Sequence, residues 1–117
     1  MLIFAHMNDN LLPIHFAPLQ GYTDAAYRRA HTRIFGGIDT YYSPFVRVEH
    51  GEIRRKDVRD IAPENNKGVY LIPQLIAPQP EKLEQIMSLF IENNYQHVDI
   101  NLGCPFPMLA KRHNGAG

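Results

Sequence analysis

Apolar positions in this chain recur with two different periods, and the two alternate along the sequence. After Pro80, whose missing N–H suits the first helical position, Leu83, Ile86, Met87, Phe90 and Ile91 fall at i, i+3, i+4, i+7 and i+8. That spacing predicts an amphipathic helix with Met87 and Phe90 in the core, closed by Asn93-Asn94. An earlier helix is expected from Thr23 or Asp24, either of which can cap it, to about Phe35. Tyr27, Ala30 and Ile34 would share its apolar face, and Gly36-Gly37 would stop it. Between and around these helices lie short runs of strand composition at 14–17, 39–43, 69–76 and 96–101. Pro18 with Gly21, Pro44, and Pro78 with Pro80 end the first three. The mixed-charge stretch 47–66 reads as a solvated short helix plus loop, its alternating signs arguing against a basic RNA-binding patch.

Strands alternating with helices imply right-handed parallel crossovers and an α/β sheet. About four such units, with polar residues of interest at the strand ends, fit the N-terminal half of a (β/α)8 TIM barrel. A complete barrel takes roughly 250 residues. The expectation is therefore one partial barrel domain over 1–117, open-edged, with unpaired apolar faces that make it aggregation-prone or in need of a partner.

Composition narrows the class without naming a chemistry. Twelve basic and twelve acidic residues cancel, so the sequence carries no electrostatic footprint for nucleic acid. One cysteine excludes an internal disulfide and fits a reducing compartment. No apolar run approaches the roughly 18 residues of a membrane span. The start also lacks the basic-then-apolar layout of a secretory signal, so the cytoplasm is the expected location. His31, His50, His97 and His113 are scattered, without metal-ligand spacing. No GxGxxG or P-loop pattern occurs, which disfavours a Rossmann or nucleoside-triphosphate site.

The single cysteine, Cys104, sits between Gly103 and Pro105, just after the last apolar run. A thiol in such a loop is a candidate reactive group, whereas within the run it would read as packing. At the strand ends, Gln74 and Asn101 each carry an amide able to donate and accept. Each also has a plain structural reading, a side chain satisfied by nearby backbone.

Three segments, taken together, resemble the tRNA-dihydrouridine synthases. Ala17-Pro18-Leu19-Gln20-Gly21-Tyr22-Thr23-Asp24, followed by Tyr27-Arg28, is similar to that family's opening motif. Pro73-Gln74-Leu75-Ile76-Ala77 resembles its strand-end glutamine segment. Asp99-Ile100-Asn101-Leu102-Gly103-Cys104-Pro105, continuing to Gly115-Ala116, resembles its cysteine motif. Their order and separations suit the family, and the resemblance covers nearly everything from Ile14 onward.

The resemblance implies an FMN-binding TIM barrel that reduces uridine in tRNA to 5,6-dihydrouridine, with NADPH as electron donor. It implies Cys104 as the general acid protonating uracil C5, a role for which a thiol with an ordinary pKa near 8.5 is mostly protonated at neutral pH. It implies flavin contacts from Pro18, Leu19, Gln20 and Gln74, and a uracil contact from Asn101. The family's later phosphate-binding and substrate residues, and its C-terminal helical RNA-binding domain, are expected beyond Gly117. Where the family often carries basic residues three or four positions after the cysteine, this sequence has Pro107 and Met108, with Lys111 and Arg112 following. Two other readings stay open: another FMN barrel oxidoreductase such as a dihydroorotate dehydrogenase, and a non-catalytic binding or assembly module.

Overall fold

The computed structural model of the chain describes residues 12–77 and 79–103. β1 (His15–Phe16) leads into a tight loop and then α1 (Ala25–Ile34). Asp24, not Thr23, caps α1, its carboxylate accepting from the Tyr27 N–H at 2.9 Å. The helix ends where Gly36 and Gly37 take φ of 62° and 76°, the left-handed region a side chain disfavours. β2 (Thr40–Tyr42) follows.

The stretch 47–66 is more ordered and more buried than its charge pattern predicts. β3 (Val48–Glu49) and β4 (Glu52–Ile53) form an antiparallel hairpin. Its turn is built on His50 and Gly51, both at positive φ, as two-residue hairpin turns require. α2 (Arg55–Ile61) and a 3₁₀ turn (Pro63–Asn65) complete the segment. Val48, Asp57, Ile61 and Asn66 are all buried in it. The charges misled because three of the carboxylates are paired with arginines, one of them Arg28 of α1.

The run at 69–76 is not one uninterrupted strand. It divides into β5 (Leu71–Ile72) and β6 (Gln74–Leu75) around Pro73, which has no N–H to give to the ladder. The backbone N–H of Gln74 donates instead to the buried Ser43 hydroxyl at 3.0 Å. α3 (Pro80–Glu92) starts on Pro80 as expected and ends at Asn93, and β7 (Asp99–Ile100) closes the described chain.

β1, β2 and β5 pair in parallel in that order, and β6 pairs in parallel with β7. The Val46–Leu75 bridge and the Ile76 N–H to Val46 carbonyl bond carry the β2 side past the Pro73 interruption. Four consecutive parallel strand positions therefore lie side by side in sequence order, each step crossing over through a helix-bearing segment. That is the winding of a (β/α)8 barrel and not of a doubly wound sheet, whose order reverses.

The two faces of the sheet differ. On one, Tyr41, Leu71, Leu75, Ile86 and Phe90 form the core, with Phe16 packed against Tyr27, His31 and Tyr41. The Tyr41 hydroxyl accepts from Thr32 and pairs with His31 Nδ1, both at 2.8 Å, so His31 is a structural residue. On the other face His15 stacks on Tyr42 and meets its hydroxyl at 2.7 Å.

Two helix faces depart from expectation. α1 buries Ala25 and Arg28, while Tyr27, Ala30 and Ile34 are exposed. In α3, Ile86 and Phe90 are fully buried and Met87 partly so, but Leu83 and Ile91 face solvent. In both cases the apolar stripe is wider than the surface among the described residues that covers it. Tyr95 fastens the turn after α3 to the end of α2 through a 2.6 Å bond to the Ile61 carbonyl, and burial pushes its phenol up to about 12.

Candidate functional site

The carboxyl ends of parallel strands are where an α/β barrel gathers its functional side chains. Here β6 and β7 are in register with Gln74 opposite Asp99, so both side chains leave the sheet on the same face. Asn101, two residues further, continues on that face by the period of a strand. Gln74 is buried, its Nε2 donating to Asp99 Oδ2 at 2.7 Å. Its Oε1 accepts from Asn101 Nδ2 at 3.3 Å. Asn101 Oδ1 in turn accepts from the Gly103 N–H at 3.0 Å, which turns the chain immediately before the cysteine. The expected pair Gln74 and Asn101 is thus brought together, and the local-backbone reading of Asn101 holds for one of its two amide atoms.

Asp99 is the member that sequence reasoning passed over. The signal was there to read, because Asp99 and Asn101 are two apart in a strand and must share a face. Ser43 was also missed; nothing in its local sequence announces that it would receive a donor displaced by a proline 30 residues away in the chain.

The first strand's exit loop is held in shape by its own hydrogen bonds. The Leu19 N–H donates to Thr23 Oγ1 at 2.8 Å, and the N–H groups of Tyr22 and Thr23 return to the Leu19 carbonyl. Gln20 reaches across to the β2 exit, its Oε1 accepting from the Phe45 N–H at 3.2 Å. Pro18 is half-buried and Leu19 exposed. Behind the loop, Arg28 is fully buried. Its guanidinium donates to the Thr23 carbonyl at 2.8 Å, to the Asp60 carbonyl at 2.7 Å, to Asp60 Oδ2 at 3.2 Å and to Asn66 Oδ1. Asp60 Oδ1 accepts the Ala25 N–H at 2.6 Å. One buried cation therefore locks the start of α1 to α2.

A cleft of about 420 Å³ opens beside this loop, between the start of α1 and the outer side of α2. Asp57 on its wall is paired with Arg54 through bonds of 2.8 and 2.9 Å, and burial still raises its carboxyl above the ordinary range despite that arginine.

Cys104 lies outside the described residues, as do Pro78, Pro105, Lys111, Arg112, His113 and the Gly115-Ala116 segment.

Parallel strands in barrel order, with a constrained first loop and an amide–carboxylate cluster at the strand ends, describe part of an α/β barrel. Residues 15–117 match the family described as "Dihydrouridine synthase (Dus)". This chain belongs to the dihydrouridine synthase family. It is similar to proteins named tRNA-dihydrouridine(16) synthase from Haemophilus ducreyi (31% identical over 109 residues) and Pseudomonas putida (31% over 111). A third, from Neisseria meningitidis, is 33% identical over 109 residues. These alignments cover 88%, 90% and 88% of this chain but only 33%, 34% and 32% of the relatives. The chain thus spans about a third of the length of the curated relatives it matches. No solved structure matches it.

Proposed function

We propose that this chain supplies the N-terminal strands of an FMN-dependent tRNA-dihydrouridine synthase, which reduces uridine in tRNA with electrons from NADPH. The observation that carries this reading is the Gln74–Asp99–Asn101 cluster at adjacent strand ends, directly ahead of Cys104, in a chain of the Dus family. The named relatives act at position 16, and that is the target expected here. The remaining barrel strands and a helical RNA-binding domain belong, on this reading, to sequence beyond residue 117. The cytoplasm, where tRNA is modified and a lone thiol stays reduced, is the fitting location.

The residues present fit a flavin's polar ring edge. Gln74 Nε2 carries two hydrogens and Asp99 takes one, which leaves a donor at the same end of the sheet as the Pro18, Leu19 and Gln20 loop. When bound, reduced FMN supplies the hydride for C6 of the uracil ring. The protein's work is orientation and proton delivery. Asn101, its amide fixed by Gln74 and Gly103, is suited to hold the uracil edge. Cys104 gives its thiol proton to C5 as the hydride reaches C6, and the thiolate then regains a proton from solvent. The C5=C6 π bond is lost and two C–H bonds form, so the ring gains two electrons and two hydrogens.

The test is single-turnover oxidation of the pre-reduced full-length protein by unmodified tRNA, normalised to bound flavin. Cys104→Ala should retain FMN and accept electrons from NADPH, yet form dihydrouridine about 10²–10⁴-fold more slowly. Cys104→Ser should be nearly as slow, a hydroxyl being a far weaker acid. Wild-type rates in Cys104→Ala would refute the general-acid role. Turnover of free dihydroorotate in place of tRNA would move the chain to the other barrel class.

A further inference from the structure

The wall of the α1–α2 cleft is richer in uncompensated positive charge than the balanced composition implies. Arg29 from α1 and Lys56 and Arg59 from α2 all line it. Lys56 and Arg59 are exposed and three apart on one helix, hence neighbours on one face. The three aspartates in the same wall are already used. Asp57 is bound in two bonds by Arg54, Asp60 by the buried Arg28, and Asp24 caps α1. Arg54 and Arg28 therefore offset Asp57 and Asp60, only Asp24 keeps its charge at the start of α1, and Arg29, Lys56 and Arg59 form no ion pair among the described residues. The Arg29 guanidinium is tied only to a neutral carbonyl, that of Asn65.

The position of the cleft matters as much as its sign. Gln20, Gly21 and Tyr22 at the end of β1 and Pro44 at the end of β2 form its other side. The cleft thus opens at the same end of the sheet as Gln74 and Asn101. Tyr22 stands at its rim with 70% of its surface exposed, an aromatic face beside three cations. Cations for phosphates with a free ring for a base is the combination that single-stranded or looped RNA takes. An acidic peptide would use the charges but leave the ring idle.

We infer that this cleft is a docking site for the RNA backbone, with Lys56 and Arg59 contacting phosphates and Tyr22 stacking on an unpaired base next to the target. The inference rests on the proposed action on tRNA for its choice of RNA, but it is read by binding alone, without turnover.

The experiment measures unmodified tRNA binding to the full-length protein by fluorescence anisotropy across a salt series. Charge reversal at Lys56→Glu with Arg59→Glu should weaken binding at least tenfold. The slope of log K against log salt should become shallower by about 2, near one unit for each phosphate no longer neutralised. The neutral pair Lys56→Gln with Arg59→Gln should show the same slope change with a smaller drop in affinity, and Tyr22→Ala a drop with the slope unchanged. Lys67→Glu, exposed in the loop before β5 at the other end of the sheet, should do nothing. All four side chains are exposed, and thermal melting confirms that each variant folds. An unchanged slope in both double variants, an equal drop in Lys67→Glu, or equal competition by polyglutamate would overturn the site. Intact binding through the cleft with no uridine reduction would instead sink the enzymatic reading and leave this one standing.

Discussion

Gln74 owes its fixed orientation to neighbours on both sides: Asp99 holds its nitrogen and Asn101 its oxygen. A carboxylate cannot donate, so the amide has one sensible rotamer, with nitrogen toward Asp99. An amide free to flip would present donor and acceptor at random to whatever lies beyond it. If its remaining N–H meets the flavin edge, Gln74→Ala should weaken FMN retention about 5- to 150-fold, the worth of roughly 1–3 kcal/mol for one buried hydrogen bond. Flavin fluorescence on dialysis against known FMN concentrations measures it. Retention equal to wild type would return Gln74 to the role of a residue that only ties two strands together. Its legibility was partial: type and position showed in the sequence, while the identity of the partners came from strand register.

At the scale of elements, α1 shows how a helix can be read correctly in extent and wrongly in orientation. Its cap and its glycine stop are local matters, and both stand where the sequence placed them. The buried face was misjudged because apolar periodicity pointed to Tyr27, Ala30 and Ile34, whereas the helix docks through Arg28. A buried guanidinium is tolerated only because its donors are met by Thr23, Asp60 and Asn66, an arrangement assembled from residues up to 38 positions apart. Removing it leaves Asp60 Oδ2 and the Asn66 amide oxygen without their cationic partner. Arg28→Met should therefore cost about 3–5 kcal/mol of stability, the range for breaking one side of a buried pair. Urea unfolding would measure this, and a change under about 1 kcal/mol would mean that the network relaxes freely. Because the same guanidinium holds Thr23, flavin retention by the folded fraction should fall as well.

Over the whole molecule, the described part of the sheet leaves large apolar positions uncovered on both of its faces. Tyr70, Ile100 and Leu102 keep 57%, 55% and 86% of their surface exposed, unusual for large apolar groups near a sheet. In a closed barrel such positions are covered by the remaining strands and helices. On the proposed reading, Pro18, Leu19, Gln20 and Gln74 would likewise supply only part of a flavin's contacts. Residues 1–117 alone should accordingly bind FMN poorly or not at all, and should associate or aggregate at high concentration. Titration of the purified chain with FMN, followed by flavin fluorescence, checks this; micromolar stoichiometric binding would show that the described strand ends suffice.

Read locally, the chain already fixed the four parallel strand positions and their alternation with helices, the glycine stop of α1, the start of α3 on Pro80, and the motifs at the strand ends; it missed the β3–β4 hairpin and the break at Pro73. The features it fixed follow from period, turn chemistry and residue type, which act over a few neighbouring positions. Only the tertiary structure decided which polar side chains meet. It aligned Gln74 with Asp99, gave the Gln74 N–H to Ser43 across the Pro73 break, and buried Arg28 against Asp60. It also separated paired from unpaired charges in 47–66, turning an apparently neutral stretch into a hairpin, a buried lock and a cationic cleft wall. Charge balance is a sum over the chain and is blind to distance, whereas electrostatics falls off with distance and depends on burial, so only the folded arrangement says which charges remain.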